Sequence, residues 1–124
     1  MGKRIMVVDD SRAFARQLKS MLEDTDYEIA AYCADGATAI DLYDEVQPDL
    51  VTMDILMPGM DGLDAARILI EDHPDARVVM VSSLAYDESI DEAQAIGTKA
   101  FVYKPLERER LLSALDDVTV DLQP

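Results

Sequence analysis

A chain of 124 residues, 49% of them hydrophobic, has the length and apolar content for a single domain, 1–124, with its own core, and no shift in composition marks a second unit. The formal net charge of −15 excludes the clustered Lys and Arg with which proteins grip phosphate backbones, so the expected partners are basic surfaces or cations, with no direct nucleic acid. A single cysteine, Cys33, and a single histidine, His73, exclude an internal disulfide and a zinc site, and the apolar run after Arg4 is too short for a signal peptide or a membrane span; a soluble cytoplasmic protein is the expectation.

The first element is the apolar run at residues 4–8, ending at the acidic pair Asp9-Asp10. Its lack of polar alternation suits a strand covered on both faces. Ser11 can then cap a helix in which Phe14, Leu18, Met21 and Leu22 recur at helical spacing. A second strand is expected at 28–33, with Cys33 as a buried strand residue, and a second helix carries Ala39, Tyr43 and Val46. The third strand, 49–53, ends at Asp54, and its helix carries Leu63, Ala66 and Ile70 with Pro74 beyond the end. The fourth, 77–82, ends at Ser82; Ile90 and Ala93 begin the next helix, and Gly97 stops it. The fifth, 100–103, ends at Lys104, and Leu111, Leu115 and Val118 mark the last helix. From about residue 119 the tail is expected to fray.

Five alternations of strand and helix predict an α/β fold, a doubly wound parallel sheet. Right-handed crossovers then put a ligand site beyond the C-terminal ends of the strands, where the strand order reverses. Asp9-Asp10, Asp54 and Lys104 all lie at such ends. If the runs are neighbours, three carboxylates and one ammonium share a site, which is costly without a cation and points to a divalent metal and an anionic substrate. Taken singly, each residue also has an ordinary role: Asp54 as a turn aspartate, Asp9-Asp10 as a solvated pair, Lys104 as a surface lysine, Ser82 as a helix cap.

The stretches Met6-Val7-Val8-Asp9-Asp10-Ser11, Val51-Thr52-Met53-Asp54-Ile55-Leu56-Met57-Pro58-Gly59-Met60-Asp61-Gly62, Val81-Ser82-Ser83 and Val102-Tyr103-Lys104-Pro105 are similar to the four signature segments of response-regulator receiver domains. The resemblance spans essentially the whole chain in that family's order. It implies a flavodoxin-like five-stranded sheet in the order 2-1-3-4-5 with five helices. It further implies that Asp54 is a phosphoacceptor, and that Asp10, Asp54 and the Leu56 backbone carbonyl ligate Mg2+ directly while Asp9 acts mainly through a water. Lys104 would answer the phosphoryl charge, with a cis bond to Pro105. Ser82 takes the switch-hydroxyl position, with Ser83 as its competitor. Phe101 takes the place of an aromatic that changes rotamer; as Phe it lacks a hydroxyl, which Tyr103 on the same side of the strand can supply.

The expected partners are a histidine kinase or phosphotransfer protein as donor, and a target on the face formed by helix 4, strand 5 and helix 5. No turnover on an external substrate is expected. The resemblance is strongest to stand-alone chemotaxis receivers, with a fourth strand like that of methylesterase receivers. A receiver excised from a larger regulator, and a binding module that needs no phosphorylation, remain as alternatives. Leu56 and Leu84 occupy positions that tune water access, and their apolar character predicts slow hydrolysis of the phosphoryl group.

The acid excess is mostly aspartate, 18 of 26, and only 4 of 11 basic residues are lysine, a bias that resembles proteins of salt-accumulating organisms. An ordinary solubilising surface is the alternative. A melting series in potassium chloride separates them: a midpoint that climbs with salt is the halophilic outcome, and a flat midpoint ends that reading.

Overall fold

The computed structural model describes residues 2–83 and 87–122. Strand and helix alternate as β1 (Lys3–Val8), α1 (Arg12–Met21), β2 (Tyr27–Cys33), α2 (Gly36–Val46), β3 (Leu50–Met53), α3 (Gly62–Asp72), β4 (Val78–Ser82), α4 (Asp87–Ile96), β5 (Ala100–Tyr103) and α5 (Arg108–Val118). The five strands form one sheet in the order β2-β1-β3-β4-β5, and every pairing is parallel. The predicted strands lie within a residue of the observed ones. The order reverses at β1, which has β2 on one side and β3 on the other.

Side chains alternate across each strand, and each face has its own core. On one face Ile5, Val7, Leu50, Val79, Val81 and Val102 pack under Phe14 and Leu18 of α1, Leu22 at its C-cap, and Leu111 and Leu115 of α5. On the other, Met6, Val8, Val51, Met53, Val78 and Met80 lie under α2, α3 and α4. β1, β3 and β4 are therefore covered on both sides, which is why they read as apolar runs without alternation.

Local chemistry sets the helix ends. Ser11 caps α1 by accepting the Phe14 N–H, and Asp35 and Asp61 cap α2 and α3 in the same way. Gly97, at φ +106°, takes the left-handed conformation that ends α4, where Thr98 N–H turns back to the Ala93 carbonyl at 3.1 Å. Among the described residues no helix is long and apolar enough to cross a membrane.

Where fraying was expected from about residue 119, residues 119–122 make tertiary contacts. Thr119 is fully buried, its hydroxyl donating to the Leu115 carbonyl at 2.8 Å and meeting the Tyr27 hydroxyl at 3.2 Å. Val120–Leu122 continue as a 3₁₀ turn, and Asp121 pairs with Arg77 at 2.5 Å. Acid-rich composition suggested a solvated end, while the contacts observed are with long-range partners, Tyr27 on β2 and Arg77 just before β4. The Tyr27 hydroxyl also donates to Asp116 at 2.6 Å; burial and that carboxylate push it up to about 12.

One core group works against stability. Thr52 sits in the middle of β3, fully buried, and its hydroxyl has no hydrogen-bond partner among the described residues. Thr52→Val keeps the shape and removes the unsatisfied group, so it is expected to stabilise the fold by about 1 kcal/mol in urea denaturation. A loss of stability in that variant would show that the hydroxyl is satisfied.

Candidate functional site

Strand register brings the acidic stations together. Val8 pairs with Met53, so the next residues, Asp9 and Asp54, leave the sheet side by side. The backbone ladder continues one step past the strands: Asp54 N–H donates to the Val8 carbonyl at 2.9 Å, Asp9 N–H to Cys33 at 3.0 Å and Lys104 N–H to Ser82 at 3.0 Å. A register shift between Ile5 and Met6, where Ala30 on β2 is passed over, sets Cys33 opposite Val8 and makes the second of these bonds. Every station is thus held at its root by main chain.

Oxygen atoms of Asp9, Asp10 and Asp54 lie within 4.8 Å of one another. Asp9 and Asp54 are buried and Asp10 is exposed. The Lys104 ammonium donates to Asp9 Oδ2 at 2.8 Å and stands 3.5 Å from Asp54 Oδ1. Asp9 Oδ1 also accepts the Ser11 N–H at 2.8 Å, and Asp54 Oδ1 accepts its neighbour's N–H, from Ile55, at 3.0 Å. The Lys104-Pro105 bond is cis. A set of three carboxylates without nitrogen or sulfur donors fits a hard, oxygen-seeking divalent cation such as Mg2+.

The β3–α3 loop is shaped around Asp54. Gly62 N–H donates to the Ile55 carbonyl at 2.8 Å, and a Cβ on Gly62 would fall 1.7 Å from the Asp54 carbonyl oxygen. Only glycine allows the start of α3 to press on that peptide. Leu56 lies in this loop and is 59% exposed.

Ser82 is the last residue of β4 and is buried, whereas Ser83 is exposed. Phe101 is half-buried against the α2/α3/α4 core, and its ring lies 5.5 Å from that of Tyr103, which is 46% exposed. The two aromatics do share a side of β5. Leu84 lies outside the described residues. Cys33 is buried at the end of β2, where desolvation pushes its thiol up. His73 sits at the end of α3 against Tyr43 and Asp44. Sequence reading missed two contributors. Gly62 had a signal in the Met60-Asp61-Gly62 turn, while the facing of Phe14 to Lys104, with the ring centroid 4.3 Å from Nζ, had none, since helical spacing asks only for an apolar residue there.

Burial, and then the Asp9 charge, push the Asp54 carboxyl up to about 6, with Lys104 and the Ile55 N–H pulling the other way. Between the ordinary value of 3.8 and about 6 the folded, metal-free protein therefore holds a proton that the unfolded chain has released. Stability contributed by Asp54 is full below that window and falls as pH rises through it. Asp54→Asn is thus expected to be more stable than the parent chain at about pH 7.5 in chelator, by roughly 1–3 kcal/mol, with the gap closing toward about pH 3.5. Thermal midpoints across that range test it, and a gap that does not change with pH contradicts it.

Residues 5–116 match the response regulator receiver domain family. The chain is 36% identical over 119 residues to the chemotaxis protein CheY of Thermotoga maritima, covering 96% of this chain and 99% of that one. It is 37% identical over 118 residues to a protein-glutamate methylesterase/protein-glutamine glutaminase of Geobacter sulfurreducens, covering 93% of this chain and 32% of that one. Among solved structures it resembles CheY in the CheX-CheY-BeF3-Mg+2 complex from Borrelia burgdorferi, with TM-score 0.89, 32% identity and coverage of 93% and 87%. It also resembles the response regulator domain of Thermotoga maritima CheB, with TM-score 0.85, 29% identity and full coverage of both chains.

Proposed function

This chain belongs to the response regulator receiver domains, and we propose that it is a phosphorylation switch in which Asp54 accepts a phosphoryl group and a partner-binding face responds. The observation that carries the reading is the cluster itself: three carboxylates within 4.8 Å, two of them buried, with one ammonium at 2.8 and 3.5 Å.

The reaction needs little from the protein beyond position and charge. An Asp54 carboxylate oxygen attacks phosphorus, forming a P–O bond. The P–N bond of a phosphohistidine, or the P–O bond of an acyl phosphate, breaks with its electron pair going to the leaving group; an imidazole leaving group takes a proton from solvent. Asp9, Asp10, Asp54 and the Leu56 carbonyl are the groups that would hold Mg2+, whose charge, when bound, offsets that of the carboxylates and of the incoming phosphoryl oxygens. Lys104 is placed to move its ammonium from Asp9 toward the new phosphate. Ser82, at the end of β4, is placed to offer a hydroxyl to a phosphoryl oxygen.

The phosphoryl charge biases an equilibrium only through its different contacts in two states. Drawing Ser82 toward the site frees space beside Phe101, and the rotation of that ring alters the α4-β5-α5 face. A groove of about 250 Å³ there, bordered by Phe101, Tyr103, Pro105 and Arg110, is the proposed seat of a downstream target. The donor is a histidine kinase or phosphotransfer protein in the cytoplasm, and similarity to CheY proteins favours chemotaxis or motility signalling. Similarity to the CheB receiver domain leaves the switch itself unchanged and bears only on what it controls. The protein promotes its own phosphorylation and turns over no external substrate.

With labelled acetyl phosphate and Mg2+, the wild-type chain is expected to take up label and Asp54→Asn none, while beryllofluoride with Mg2+ shifts the amide resonances around Asp54 and Ser82. Label on Asp54→Asn would sink the assignment. Amide spectra indifferent to beryllofluoride would favour a binding module that needs no phosphorylation.

A further inference from the structure

Lys104 is held from a third side. Its Nζ stands 4.3 Å from the centroid of the Phe14 ring while it donates to Asp9 and faces Asp54. Phe14 belongs to the first turn of α1, where its N–H donates to Ser11 Oγ at 3.2 Å, and the Ser11 N–H donates to Asp9 Oδ1 at 2.8 Å. The contacts close a ring. Asp9 fixes Ser11, Ser11 fixes the turn that carries Phe14, Phe14 faces Lys104, and Lys104 returns to Asp9.

We propose that Phe14 is a positioning residue for Lys104, seating the ammonium by a cation–π contact so that it stays aimed at Asp54 when the charge on the carboxylates changes. The proposal rests on the reading of Asp54 as phosphoacceptor and Lys104 as the partner of the phosphoryl oxygens.

A lysine is a compact, strongly hydrated charge on a flexible stem. This one is 22% exposed, so water competes for it. Both of its carboxylate partners belong to the set that fits a divalent cation, and positive charge gained there weakens their hold on the ammonium. The aromatic ring does not titrate and is no ligand for a hard cation, and its negative face stays where α1 puts it. Phe14 is buried at 8% exposure in the same stripe as Leu18 and Leu22, so an aliphatic residue would serve the core equally well. What it would not supply is the electrostatic seat.

Alternation along the strands explains why α1 supplies it. Val7 and Val102 face the α1/α5 core, and Asp9 and Lys104, two residues further along each chain, leave the sheet on that side.

The test uses the full chain with Phe14→Leu, Phe14→Tyr and 3,4,5-trifluorophenylalanine at position 14; the last keeps the shape and weakens the π face. In the wild type the Lys104 ε-methylene protons are expected upfield of those of the other lysines through the ring current. Phe14→Tyr should keep that shift and Phe14→Leu should lose it. Phosphorylation by acetyl phosphate with Mg2+ is expected to slow about three- to tenfold in Phe14→Leu and measurably in the trifluoro chain, with Phe14→Tyr restoring the wild-type rate. Mg2+ affinity should stay within about twofold throughout, because the ring offers no ligand.

An unshifted Lys104 in the wild type, or a trifluoro chain as fast as the wild type, overturns the proposal. If Phe14→Leu fails to fold, the tyrosine and trifluoro chains still decide between shape and charge. Failure of the underlying reading looks different: Asp54→Asn takes label while the Lys104 signature is intact.

Discussion

Three carboxylates held within 4.8 Å of one another at the edge of a sheet repel, and the fold is arranged around making that repulsion tolerable. Two of them, Asp9 and Asp54, are buried, which raises the cost of their charge. Backbone N–H groups from Ser11 and Ile55 and one ammonium from Lys104 offset part of it. The remainder shows in Asp54, pushed up to about 6. A site in that condition favours whatever brings positive charge to it.

The sheet determines how this site can communicate. Residues alternate across each strand, so Asp9, Asp54 and Lys104 leave the sheet toward α1 and α5, while Ser82 and Phe101 belong to the side of Met80, covered by α3 and α4. Charge chemistry and the proposed response therefore lie on opposite faces of one sheet edge, joined by the main-chain bond from Lys104 N–H to the Ser82 carbonyl. On the proposed reading, a change at Asp54 would pass to β5 and α5 through that bond. α5 is meanwhile tied down at both ends, by Arg108 to the Met21 carbonyl at 3.0 Å and by Asp116 and Thr119 to Tyr27. α4 rests on the core through Ala93, with Ile96 packed beside it.

The strands and the acidic stations were legible because they depend on local pattern. Unbroken apolar runs at β1 and β4 follow from burial on both faces, and an acid at the end of such a run needs a reason to be there. The helix start at Ser11 and the helix stop at Gly97 were equally local, since one hydroxyl and one left-handed residue suffice. What the sequence hid was long-range. Order at residues 119–122 depends on Tyr27 and Arg77, distant in the chain, and composition alone pointed the other way. Thr52 reads as an ordinary strand residue, and only the packed core exposes its unsatisfied hydroxyl. Phe14 reads as core and is core; its second contact, with Lys104, depends on where β5 ends in space.

The central claim is that Asp54, and neither Asp9 nor Asp10, carries the phosphoryl group. Borohydride reduces an aspartyl phosphate to homoserine, which marks the phosphorylated position permanently. After acetyl phosphate and Mg2+, peptide mass spectrometry of the reduced protein should find homoserine at position 54 and aspartate at 9 and 10. Homoserine at 9 or 10, or at none of the three, would contradict the account.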